Sequence, residues 1–139
     1  MQRMRRDFCL ALSAVLASSC RLLAAGKMLP SRIYQFENLS SRTAGNVTLR
    51  EILEGSIFEG CQISLHESDL APHSRPHPPH RHRHEEMVFV TEGTLEFTIN
   101  GKMTRAGEGS VLLAGSNDEH GIFNPESTHA KYFVLALGS

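Results

Sequence analysis

The chain has 139 residues, 40% of them hydrophobic, with 11 glycines and no tryptophan, which is enough for one modest core and too little for two ordinary domains. A formal net charge of -1, with no basic stripe outside the first residues and one His/Arg loop, excludes a general attraction to nucleic acid or to anionic membrane. Neither polymer is expected as a partner.

Three arginines within residues 1–6 precede an apolar run over residues 8–16 and then the small residues Ala17, Ser18 and Ser19. That order predicts a signal peptide over residues 1–25, removed on export to the periplasm or exterior. The apolar run is about half of the ~20 residues a membrane span needs, and Arg21 interrupts its continuation, so no span is expected in the mature chain. Arg5-Arg6-Asp7-Phe8 resembles a twin-arginine signal, although Met4 stands where Ser or Thr is usual; general secretion is the alternative route. Cys9 and Cys20 fall in this leader, leaving Cys61 as the sole thiol of the mature chain and no internal disulfide. Cys61 alternates with Ile63 and Leu65 and reads as a small buried hydrophobe.

Residues 26–46 read as an N-terminal arm, and residues 47–139 as one β domain. Strands are expected over residues 47–53 and 60–67, the latter with Cys61, Ile63 and Leu65 on its buried face. Four prolines make residues 70–79 a loop. Residues 87–91 and 95–99 are β-prone, and Asn100-Gly101 is a strong type I′ hairpin signal leading to a partner strand at 102–105. Further strands are expected at 110–114, 120–124 and 130–137. Short strands at this density define an all-β barrel or sandwich. The last strand is apolar on both faces. Its outer face therefore needs cover from the arm or from a second subunit, and a homodimer is expected.

The chemistry concentrates in residues 76–93, where a proline-stiffened loop passes through His77, His80, His82 and His84 into Glu85, Glu86 and an apolar strand ending at Gly93. On strand geometry His80 and His82 point the same way about 7 Å apart, close enough to chelate one ion. Glu86, Val88 and Val90 share that inward face. His120, after a second apolar run, is the distant donor that would complete the shell. A pair from His82 and His84 has the same parity and is the alternative. His66, His73, His77 and His129 read as exposed or hydrogen-bonded loop residues, and Glu85 as solvent-facing.

This stretch resembles the first motif of the cupin family, H-x-H, three or four residues, E, six residues, G, with His80, His82, Glu86 and Gly93 in place. Gly107, Gly115, His120 and Asn124 approximate the second motif, with Leu113 where a proline is usual and four residues instead of two between Gly115 and His120. The resemblance covers roughly residues 47–137. It implies a double-stranded β-helix, or jelly-roll barrel, holding one divalent transition metal (Mn, Fe, Ni, Zn or Cu) through His80, His82, Glu86 and His120. Asn124 then either lines the cavity as a substrate-binding residue or forms a turn before Pro125. The cupin scaffold serves oxygenases, isomerases, decarboxylases and non-catalytic binders alike. The resemblance thus implies a small-molecule metalloenzyme or a ligand-binding module in which the metal is structural or anchors the ligand.

Overall fold

The computed structural model describes residues 28–138; the leader expected over residues 1–25 lies outside them. Nine strands form among the described residues: β1 (Ser41–Ala44), β2 (Val47–Ser56), β3 (Gln62–Leu70), β4 (Glu85–Glu92), β5 (Leu95–Ile99), β6 (Lys102–Ala106), β7 (Val111–Ala114), β8 (His120–Phe123) and β9 (Ala130–Leu137). They make an antiparallel six-stranded sheet ordered β1-β2-β3-β9-β4-β7 and a three-stranded sheet ordered β6-β5-β8. The fold is the expected all-β double-stranded β-helix. Its core draws Leu70, Val88, Tyr132 and Val134 from the large sheet and Leu95, Phe97 and Ile122 from the small one, so burying these apolar faces is what closes the two sheets on each other.

Local sequence explains the connections. Asn100 and Gly101 both adopt positive φ, 47° and 81°, and the hairpin they close pairs Ile99 with Lys102, as a type I′ turn requires. Gly93 also has positive φ, and a Cβ there would come within 3.2 Å of the His129 carbonyl oxygen. The arm is partly structured: β1 continues the large sheet by pairing with β2. Further upstream the Leu29 amide donates to the Ser56 carbonyl, and Phe36 lies 4.0 Å under the Arg50 guanidinium. The arm therefore docks along β2 and stops there.

One expected face is reversed. Cys61 is exposed, because a short 3₁₀ turn, Phe58–Gly60, precedes it and β3 begins one residue later. Ser68 and Leu70 are the fully buried residues of β3, so His66, of the same parity, faces the interior and Ile63 and Leu65 face outward. Periodicity gave the alternation but not which side was in, since both sides of β3 are partly apolar.

The outward side of the large sheet is apolar across five strands. Pairing puts Leu53, Leu65, Leu135, Met87 and Leu113 in one continuous row. A flanking row runs Phe133, Phe89, Val111, and on the other side Ile63 pairs with Leu137.

Candidate metal centre

Residues 71–84 link β3 to β4 by crossing to the small sheet. There they are clasped to β8: the His80 amide donates to the His120 carbonyl at 3.0 Å, and the His120 amide returns a bond to His80 at 2.8 Å. A second bridge joins Ser74 to Asn124. Gly121 makes this close approach possible, since a Cβ at that position would stand 3.0 Å from Pro79 Cγ. His80 and His82 are thus not on a regular strand, as expected from alternation. His80 forms an isolated bridge, and a bend over residues 83–84 precedes β4; the prolines upstream leave too few backbone donors for a ladder.

The clasp brings three imidazoles together. Ring centroids are 5.1 Å apart for His80 and His82, 4.8 Å for His80 and His120, and 4.7 Å for His82 and His120. One ligand atom from each lies within 4.8 Å of the others. His82 is also stacked on His84 at 3.6 Å, and its Nε2 lies 3.0 Å from Glu86 Oε2, with His84 Nε2 at 3.9 Å from the same oxygen. A second group, His82, His84 and Glu86, therefore shares His82 with the first. Of the four expected ligands, the three histidines converge directly and Glu86 joins them through His82. His84, the alternative donor, is in the cluster as well.

Hydrogen bonding sets the direction in which these rings offer electron pairs. His120 Nδ1 is 2.9 Å from the Asp118 carbonyl, so it carries the proton and Nε2 keeps the lone pair. That Nε2 is buried without a partner, as is His80 Nδ1. His82 Nδ1 likewise donates to the His84 carbonyl at 2.8 Å, turning Nε2 toward the Glu86 carboxylate, where two electron-rich atoms at this distance need a proton or a cation between them. Two orphaned buried imidazole nitrogens beside a carboxylate fit a divalent transition metal. Burial, with the neighbouring His77, His120 and His82, holds the His80 pKa below its ordinary value against the opposing pull of Glu86. Burial and His82 do the same to His84. Both shifts favour the neutral imidazole that binds metal.

Beyond Glu86 the interior holds a cavity of about 300 Å³, lined by Val47, Leu49, Ile122 and Val134 on its apolar side and by His66, His77, Ser68 and Tyr132 on its polar side. Burial pushes the Tyr132 pKa up to about 12, against the lowering effect of its hydrogen bond with Ser68. His66, expected to be an unremarkable loop residue, instead faces this cavity, and burial depresses its pKa more than Glu51 and Glu86 raise it. Both it and Tyr132 were discoverable from strand parity once the inner face of β3 was known. Asn124 is the opposite case: fully buried, its amide donates to the carbonyls of Leu70, Ala71 and Thr128, and its Oδ1 accepts from the Glu126 amide. The substrate-binding expectation for Asn124 gives way to a loop-tying one, because every polar atom it has is spent on backbone. A wider cavity of about 430 Å³, lined by Phe97, Ile99, Lys102, Thr104, Ala106, Val111 and Leu112, contains none of the clustered histidines.

A double-stranded β-helix with histidines converging from its 71–84 loop and a distant strand defines a class of small barrel proteins. Residues 66–136, just over half of the chain, match the family described as Cupin domain, and the chain belongs to that family. Similar solved structures include an RmlC-like cupin from Shewanella frigidimarina (16% identity, 78% of this chain and 93% of that one, TM-score 0.65). The polyketide cyclase RemF from Streptomyces resistomycificus is also similar (17%, 80% and 81%, 0.64). So is a predicted oxalate decarboxylase from Thermotoga maritima (17%, 78% and 100%, 0.67). No curated protein sequence matches significantly. At these identities the structural likeness establishes the fold, and two of these neighbours carry enzyme names.

Proposed function

We propose that the chain is an exported single-domain cupin that binds one divalent transition metal through His80, His82 and His120, with Glu86 as the fourth ligand, and uses the open side of that ion to hold a small organic acid or sugar derivative. The observation that carries this reading is the pair of buried, unpartnered nitrogens, His120 Nε2 and His80 Nδ1, inside a three-imidazole cluster. A buried polar atom without a partner costs about 1–3 kcal/mol, so two of them within one imidazole cluster are best explained by a ligand. The adjacent cavity, about 300 Å³, admits a small molecule and not a polymer.

When bound, the metal would polarise a carbonyl, carboxylate or enol, or activate dioxygen. His66, Ser68 and Tyr132 would orient the substrate from the opposite wall. Oxygenase, isomerase and decarboxylase chemistry are all compatible with this donor set. A second reading, a non-catalytic binder whose metal anchors the ligand, draws on the apolar Val47, Leu49, Ile122 and Val134 side of the cavity, which can retain a ligand without acting on it. The signal-peptide pattern supports export, and among the described residues no helix is long and apolar enough to cross a membrane.

The test is metal analysis of the purified chain after both cytoplasmic and exported expression, followed by a substrate screen with and without oxygen. Close to one transition metal per chain is expected. Metal-free protein from both routes would sink the proposal, and turnover of any substrate would decide between enzyme and binder.

A further inference from the structure

Between Gly115 and His120 the chain carries four residues where the second cupin motif has two. The longer loop is not slack. The Asp118 amide donates to the Gly115 carbonyl at 3.1 Å, closing a tight turn with Asn117 at a φ of 63°. Turned this way, the loop touches two histidines of the cluster. The Asn117 amide donates to the His82 carbonyl at 2.7 Å, and the Asp118 carbonyl accepts from His120 Nδ1 at 2.9 Å.

This loop is held in place by the tip of the β5–β6 hairpin. Asn100 Nδ2 donates to Asp118 Oδ1 at 2.9 Å, Asn100 Oδ1 accepts from the Glu119 amide at 3.0 Å, and the Asn100 main-chain amide donates to the Glu119 carbonyl at 2.7 Å. The hairpin itself does not need this side chain, because at a φ of 47° glycine serves a type I′ turn as well as asparagine does. Both ends of the Asn100 amide group are instead directed at residues 18 and 19 positions away, the two that precede His120. We propose that Asn100 is a positioning residue for the histidine cluster, acting through Asp118 to hold the His120 ring with Nε2 turned to the site.

The purpose of this role rests on the metal-binding reading above, while its geometry rests on the hydrogen bonds alone. A neutral imidazole carries its proton on either nitrogen, and the tautomer a metal ligand needs is selected by what its other nitrogen bonds. For His120 that partner is a carbonyl in a loop whose Ser116 and Asn117 are exposed, and the peptide plane of such a carbonyl can tilt unless its residue is anchored. The Asn100–Asp118 bond anchors it, and the two bonds to Glu119 fix the next peptide. The same lock keeps the Asn117 amide against the His82 carbonyl. Gly115 fits this arrangement, since a Cβ there would stand 3.1 Å from Asp118 Oδ2 and crowd the carboxylate that Asn100 holds.

Two readouts on the purified full chain test this. In the metal-free protein at pH 8, long-range proton–nitrogen NMR spectra of the imidazoles should show wild-type His120 as one tautomer, protonated on Nδ1, and N100G should show a mixture of both. With zinc as the probe, chelator competition should give N100G an affinity ~5-fold below wild type. G101A separates this from damage to the turn. At a φ of 81° with nothing within 4 Å of the new Cβ, it strains the same hairpin and should lower the melting temperature while leaving the His120 tautomer and the zinc affinity unchanged. D118A should match N100G, and the N100G/D118A pair should be no weaker than either alone. D118N keeps an acceptor oxygen for Asn100 and should hold zinc affinity within ~2-fold of wild type. If N100G does not fold, D118A carries both readouts. A wild-type tautomer and affinity in N100G overturns the proposal, as do additive losses in the double variant or an equal loss of affinity in G101A. A wild type that binds no zinc would refute the metal reading instead, and the His120 tautomer in N100G would still decide the role of Asn100.

Discussion

The two walls of the candidate metal centre are built by opposite means. On one side His120 sits on β8, fully enclosed and oriented by the Asp118 carbonyl. On the other, His80, His82 and His84 hang on a proline-rich loop whose position depends on being clasped to that strand. The strand wall is held by backbone pairing to β5, while the loop wall borrows order from the strand wall through the backbone hydrogen bonds of the His80–His120 and Ser74–Asn124 bridges and one glycine. A ligand set divided in this way needs a packed barrel before it exists, and a short histidine tract alone would not make it.

The largest effect should come from removing one imidazole from each wall. H120A and H80A are each expected to lower metal affinity by ~100-fold or more, measured by competition with a chelator, and a much weaker effect for H120A would show the strand wall to be dispensable. Next, E86Q and H84A separate the two overlapping triads: E86Q should weaken binding ~10-fold or more and H84A less, and the reverse order would place the ion between His82, His84 and Glu86. Gly121→Val attacks the junction itself. With Pro79 Cγ 3.0 Å from the new Cβ, the loop must lift, and affinity should fall roughly 10-fold while the melting transition remains cooperative.

Acid probes the metal-free protein. His66, His80 and His84 have pKa values lowered by burial, so the unfolded chain binds protons more tightly than the folded one. Stability is then complete above the ordinary histidine pKa of about 6.5 and is lost as pH falls below it. Urea titrations at pH 7.5 and 5 check this, and greater stability at pH 5 would contradict the sign. The smallest effect belongs to R81A. Arg81 and Glu119 link the walls at 3.4 Å but are largely exposed, so less than about 0.5 kcal/mol is expected.

Strand positions were legible because short β-prone runs alternate with unmistakable turns such as Asn100-Gly101. That His80, His82 and His120 would come together, with Glu86 beside His82, was legible because their spacing is a motif. Three features were not. Cys61 and His66 were assigned to the wrong faces, since Ile63 and Leu65 make the outward face of β3 more apolar than its inward one. His84 was set aside on spacing alone, and stacking on His82 is a property of the bend that spacing does not encode. Asn124 matched the motif, yet its amide serves the backbone of residues 70, 71 and 128.

The His80–His120 clasp has a further consequence for how long the protein would last. An ion held by both walls would act as a removable cross-link, fastening a loop of more than a dozen residues to a strand about forty positions away. Metal scarcity would then be read as susceptibility to proteases: the 71–84 segment would open first on loss of the ion, and the unloaded chain would be cleared while the loaded one persisted.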